Sequence, residues 1–199
     1  MTSRKSADTA ASLHPLLAER WSPRGFHDGH QLADVDVTAL LEAARWAPSA
    51  NNSQPWRFLL ARRGEQDFET LSGLLAEGNR SWAPHASALL LVAAQTTDAA
   101  GRPRPWALYD TGQAVAALSV QAQANGLHVH QLGGFDPDAA RHSFQLAEEL
   151  TPVVVVAIGR LDPHSVLPES LAVHEQAPRT REPLPALLLS SQRNERRAA

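Results

Sequence analysis

Apolar residues recur along this chain at two spacings, and the switches between them mark out its elements. Between Thr38 and Trp46, Leu40, Leu41 and Ala44 fall on one helical face that Ala47 continues, with Asp36 as the expected cap. A shorter helix is predicted over Leu13–Arg20, with Ser12 as N-cap and Pro15 tolerated in the first turn. Trp56–Ala61, Ala88–Ala94 and Pro152–Ile158 are continuous apolar runs of strand length, which predicts strands buried on both faces. Leu127–Leu132 alternates and predicts a short strand. Gln66–Leu75 reads as a helix ended by Gly78, and Asp98–Pro105 as a loop. Asp136 should cap a helix running to about Phe144.

The longest predicted helix, Trp106–Asn125, closes at Gly126 and is rich in small residues: Gly112, Ala114, Ala116, Ala117, Ser119, Ala122 and Ala124. Apolar and small positions surround it almost completely, so it should be buried all round. A second copy of the chain or burial inside one protomer would each satisfy that pattern. From Leu161 onward the chain is Pro-rich and expected to be an extended arm, with no core pattern before Leu184–Leu189. Strands and helices do not alternate strictly, which favours an α+β fold. One domain is expected over residues 13–189, with flexible tails at 1–12 and 190–199.

Composition narrows the function. The 199 residues are 43% hydrophobic and 20% charged with a net charge of −3, so no broad basic field is available for nucleic acid. With no cysteine there is no disulfide, thiolate nucleophile or iron–sulfur ligation. No apolar run is long enough to span a membrane, and the N-terminal stretch lacks a signal-type apolar core. A cytoplasmic protein with neither nucleic-acid nor membrane partners is the expectation.

Familiar catalytic motifs are absent: there is no G-x-S-x-G elbow, Walker loop, G-x-G-x-x-G or H-E-x-x-H. His128 and His130 share a strand face but have no evident third ligand, so no metal site is expected. The richest chemistry lies in Ala47-Pro48-Ser49-Ala50-Asn51-Asn52-Ser53-Gln54-Pro55-Trp56, between a helix and a strand. Two prolines stiffen it, and its amides and hydroxyls offer donors and acceptors to a ligand with a planar polar edge and a hydroxylated tail. Arg20-Trp21-Ser22-Pro23-Arg24 near the start and Arg179-Thr180-Arg181 near the end are suited to gripping phosphate.

Taken in order, these pieces resemble the FMN-dependent nitroreductase family: Arg20, Ser22 and Arg24, then Ala47–Trp56, then Tyr109, Asp110 and Gly112, then Gly134-Phe135-Asp136, then Arg179 and Arg181. The resemblance covers about Leu13–Leu189. It implies a three-layer α/β/α sandwich around a mainly antiparallel sheet, in an intertwined homodimer with FMN at the interface. Arg20, Ser22 and Arg181 would hold the phosphate with Arg179 nearby, and Arg24 would sit at the flavin's polar edge or the incoming nicotinamide. Pro48, Ser49 and Asn52 of the other protomer would line the ring and ribityl chain, supported by Gln54, with Trp21 and Ala50 adjoining. Asn79 would face the pyrimidine edge, and the backbone of Gly133 and Gly134 would approach flavin N5. No catalytic side chain is implied, because the flavin carries the chemistry. The implied activity is ping-pong hydride transfer from NADH or NADPH to a nitroaromatic, quinone or similar small aromatic acceptor. Gly133 stands where many members carry an acidic residue, and Trp82 where many carry a lysine, so a flavin-sequestering protein or an FMN-dependent oxidase are the alternatives.

Overall fold

The computed structural model describes residues 5–189. In chain order the elements are α1 (Pro15–Glu19), α2 (Asp34–Arg45), β1 (Trp56–Arg62), α3 (Gln66–Gly73), α4 (Glu77–Arg80), β2 (Ala88–Gln95), α5 (Ala107–Ala124), β3 (His128–Leu132), α6 (Pro137–Ser143), β4 (Leu150–Gly159), α7 (Glu169–Gln176) and α8 (Leu184–Leu187). The strands form one antiparallel sheet in the order β1-β2-β4-β3.

β2 runs through the middle and is buried along almost its whole length. Side chains alternate across a strand, so Leu90 and Val92 enter one core while Leu89 and Leu91 enter the other. On the first face they meet Leu40 and Ala44 of α2 and Ala114, Val115, Leu118 and Ala122 of α5. On the second they meet Phe68 and Leu71 of α3, Ala140 of α6, and Trp82. Burial on both faces explains why these strands read as unbroken apolar runs. The β2–β4 register slips between Val92 and Ala93, where Ala93 faces Pro152. A bulge there accommodates a residue with no N–H to give the ladder.

Several boundaries depart from the sequence pattern. α1 is capped by His14, whose side chain accepts from the Leu16 amide, and not by Ser12. α2 begins a turn earlier than expected, so Asp36 lies inside it and favours its positive end as a first-turn acid. Gly78 falls within α4 and does not close α3. Gly126 does close α5, with φ +69°. Asp136 caps α6 through the Ala139 amide. The segment after Leu161 is not simply extended, because α7 forms between Pro168 and Pro178. Leu184 and Leu187–Leu189, expected to supply a core pattern, are exposed.

α5 is not buried all round within one chain. Leu108, Tyr109, Gly112 and Ala116 are exposed along one side, which removes complete burial inside one protomer as the reason for its small residues. Residues 5–12, expected to be a flexible tail, include a bond from the Ala7 amide to the Ala18 carbonyl at 2.8 Å. The remainder of the expected tails, 1–4 and 190–199, lies outside the described residues. No helix among the described residues is long and apolar enough to cross a membrane.

Candidate functional site

The polar residues singled out above fall into two groups at opposite edges of the sheet. The first is the loop leading into β1. Ser49 is extended, Ala50–Asn52 make a single 3₁₀ turn, and Asn51, Asn52 and Gln54 have φ of 53°, 55° and 43°. Left-handed backbone costs side-chain-bearing residues energy, least for asparagine. The bend is held by contacts within the loop and from the elements beside it. Ser49 Oγ accepts from the Gln54 amide at 3.1 Å, and Gln54 Nε2 donates to the Asn52 carbonyl at 3.2 Å. Arg57 Nη1 donates to the Gln54 carbonyl at 3.0 Å. The buried Asp110 carboxylate of α5 accepts from the Ala50 amide at 3.0 Å. Pro48, Asn52 and Gln54 are not buried.

The second group lies along the opposite edge, beside β3. Arg20, Arg179 and Arg181 share one neighbourhood. Burial and then the Arg181 charge lower the Arg20 pKa, and burial followed by Arg20 and Arg181 lowers that of Arg179. Arg179 Nη1 donates to the carbonyls of Lys5 at 2.8 Å and Ala18 at 2.7 Å, which fixes its guanidinium beside α1. Three like charges drawn together, two of them with a direct cost in burial, form a place where a phosphate would be welcome.

Arg24 takes part in a different contact. Its Nη1 is 3.7 Å from Glu175 Oε2 of α7, while Glu175 Oε1 accepts from the amides of Arg24 at 2.9 Å and Gly25 at 3.2 Å. Gly25 has no room for a side chain, because a Cβ there would lie 2.1 Å from Ser165 Oγ. Trp21 forms one wall of a cleft of about 570 Å³, also lined by Lys5, Asp162, Ser165 and Glu175. The Lys5 ammonium lies 4.4 Å from the Trp21 ring centre.

Further along the same edge, β3 leads into Gly133 and Gly134. A Cβ on Gly133 would meet nothing within 4 Å, whereas one on Gly134 would be 2.9 Å from Asn79 Nδ2. Asn79 Nδ2 donates to the Gly134 carbonyl at 3.0 Å, so Asn79 and this glycine pair form one unit. Trp82 is fully buried and lines no open face. It stacks on Phe26 with centroids 6.2 Å apart and lies against His130, tilted by 40°, with centroids 4.6 Å apart. Burial drives the His130 pKa down to about 4, and burial also lowers that of His128. No group of three or more His, Asp or Glu side chains among the described residues is placed to hold a metal.

The structure therefore joins Arg20 to Arg179 and Arg181, and Asn79 to Gly134, but does not bring the Pro48–Gln54 loop to either. Trp56 faces Ala94, which faces Thr151, whereas His130 beside Pro23 faces Ala157. The loop thus stands about 14 Å across the strands from β3, and along them about 20 Å from His130 but only about 14 Å from Leu132, which faces Val155. Asp110 and Glu175 are the supporting residues that sequence reasoning missed as site residues. Asp110 was visible only as part of a motif, and Glu175 gave no local signal.

The chain is similar to known proteins in both sequence and fold. The sequence pattern of the nitroreductase family matches residues 17–160. A solved structure described as an oxidoreductase containing FMN shares 35% identity, covers 96% of this chain and 98% of its own, and superposes with a TM-score of 0.88. A nitroreductase family protein of Clostridium difficile is 25% identical over 91% of this chain and 99% of its own, with a TM-score of 0.69. An uncharacterised 15.4 kDa protein of Mycolicibacterium smegmatis is 36% identical over 133 residues, 63% of this chain and 88% of its own. A Bacillus subtilis relative, provisionally named an NAD(P)H nitroreductase, is 26% identical over 73% of this chain and 86% of its own. With its antiparallel sheet, its amide loop and its ordered arginines, this chain belongs to the nitroreductase family.

Proposed function

We propose that the protein is an FMN-dependent NAD(P)H oxidoreductase, a homodimer of three-layer α/β/α protomers that reduces a nitroaromatic, quinone or similar small aromatic acceptor. The observation that carries this reading is the separation of the two polar groups to opposite edges of one sheet. A two-fold dimer packed through the uncovered side of α5, where Leu108, Tyr109, Gly112 and Ala116 are exposed, would bring each loop to the other copy's β3 edge.

The donor set fits FMN. Arg20, Arg179 and Arg181 supply clustered positive charge for the phosphate, with Ser22 and Arg24 along the same segment. Asn79 and the β3 glycines offer polar main-chain and amide groups at the flavin edge, and Gly133 leaves that approach open. Pro48, Ser49, Ala50, Asn52 and Gln54 of the second copy would close the other side. FMN, when bound, supplies two-electron transfer between a nicotinamide and the acceptor. The chain's own part is to grip the phosphate, fix the ring's polar edge and leave one face accessible, which preorganised donors do without reorganising. Trp82 is buried against His130, so its own side chain does not line that face.

Mixing two defective variants tests the arrangement. Arg20→Ala should weaken FMN by about 1.5–3 kcal/mol, the value of a hydrogen bond to a charged group. Asn52→Asp, bearing a negative charge in the loop, should also weaken it. If each site takes one group from each copy, mixed dimers regain one intact site, and FMN binding with anaerobic bleaching by NADH or NADPH returns. Mixed dimers that stay as defective as their parents would refute shared sites, and wild-type protein that takes up no FMN would refute the function.

A further inference from the structure

Pro23 stands between Ser22 and Arg24, and both ends of the Pro23–Arg24 peptide group are held by side chains from distant elements. Its carbonyl oxygen, on Pro23, lies 2.9 Å from His130 Nδ1 of β3. Its N–H, on Arg24, donates to Glu175 Oε1 of α7 at 2.9 Å. A carbonyl can only accept, so Nδ1 carries the imidazole hydrogen. Burial keeps that ring neutral at pH 7, which leaves it a single N–H to give. The ring also packs against Trp82, with centroids 4.6 Å apart, and Trp82 against Phe26.

A planar peptide hydrogen-bonded at both its oxygen and its nitrogen is restrained from tilting about the flanking bonds. Arg24 leaves that plane directly and Ser22 lies one residue back, beyond Pro23, whose ring fixes φ, so the tilt of the plane bears on where both side chains point. We propose that His130 and Glu175 are positioning residues that clamp the Pro23–Arg24 peptide and thereby aim Ser22 and Arg24 at the cofactor. This deepens the FMN reading and rests on it. The clamp also links three stretches remote in sequence, so that β3, which leads to Gly133, and α7, which leads to Arg179, are in register with the segment between them.

The test uses full-length His130→Leu, His130→Asn, Glu175→Ala and Glu175→Gln, with FMN titrated by its fluorescence and amide exchange followed at Arg24. Asparagine can place its Nδ2 near the position of Nδ1, and glutamine keeps an acceptor where Oε1 stands. His130→Leu and Glu175→Ala should each weaken FMN about tenfold and speed Arg24 exchange, whereas His130→Asn and Glu175→Gln should stay within about threefold of wild type. Both residues act on one rigid unit, so the His130→Leu/Glu175→Ala double variant should lose less than the product of the single losses. A purely structural role would lower the melting temperature while leaving FMN affinity and the Asn-against-Leu contrast flat, and that result overturns the proposal. Unchanged Arg24 exchange in His130→Leu overturns it as well. Wild-type protein without FMN affinity defeats the cofactor reading instead, and Arg24 exchange then still decides whether the clamp exists.

Discussion

Removing the Asp110 carboxylate should release the amide loop while leaving the sheet intact. Asp110 is 3% exposed and accepts from the Ala50 amide at 3.0 Å, from a helix that packs against the core. The loop it anchors holds three non-glycine residues, Asn51, Asn52 and Gln54, in left-handed backbone. At about 1 kcal/mol each, these store roughly 3 kcal/mol of strain. A hydrogen bond to a charged group offsets about 1.5–3 kcal/mol of it. Asp110→Ala should therefore shift the loop toward open states by roughly ten- to a hundredfold, and Asp110→Asn, which keeps an acceptor without the charge, by less. Hydrogen exchange at Ala50 and Gln54 reads the opening directly, with the β2 amides as an internal standard. FMN affinity should fall in parallel. If Ala50 keeps its wild-type protection in Asp110→Ala, the loop is held by its own contacts and the reasoning fails.

Acid should weaken the fold through its partly buried imidazoles. The His130 pKa drops from 6.5 to about 4, so between those values the unfolded chain binds the proton and the native chain does not. The native state keeps its full stability above about pH 6.5 and loses about 1.4 kcal/mol per pH unit as the pH falls toward 4, near 3 kcal/mol in all from this residue. His128 and His30 act in the same direction. Urea unfolding from pH 4.5 to 7.5 measures the slope, and an equal slope in His130→Asn would show that another group is responsible. Past the end of β3, Gly134→Ala should lower stability by about 1–3 kcal/mol through overpacking against Asn79, while Gly133→Ala points into open space and should be neutral. Equal melting temperatures for the two would contradict that contrast.

Much of the fold was legible because the strands are apolar on both faces. Ala88–Ala94 and Pro152–Ile158 could scarcely be anything but central strands, and Gly126 and Asp136 announce their helix ends chemically. α7 was not legible, since Glu169–Gln176 is short, weakly amphipathic and flanked by prolines. It forms because Leu171 packs against the second core and Glu175 reaches the Arg24 and Gly25 amides, neither of which a local pattern records. The candidate site was legible as an order of motifs, carried by Arg20, the Pro48–Gln54 loop and Arg179–Arg181. What the order could not reveal was which of them lie together in one copy. Trp82 looked like a change in the pocket and is a core residue, because a side chain's direction depends on the neighbours it packs against.

The strand order β1-β2-β4-β3 also constrains how the polypeptide reaches its native state. The two middle strands are separated by α5, β3 and α6 in sequence, so β2 can pair with β1 as soon as it is made but waits for its other neighbour. During synthesis the Ala88–Gln95 stretch, an almost wholly apolar run, therefore presents a bare hydrogen-bonding edge until residues up to Gly159 have left the ribosome. Late long-range closure of this kind slows folding and invites association between nascent chains. Fragments cut short of β4 should accumulate as aggregates rather than as small soluble domains.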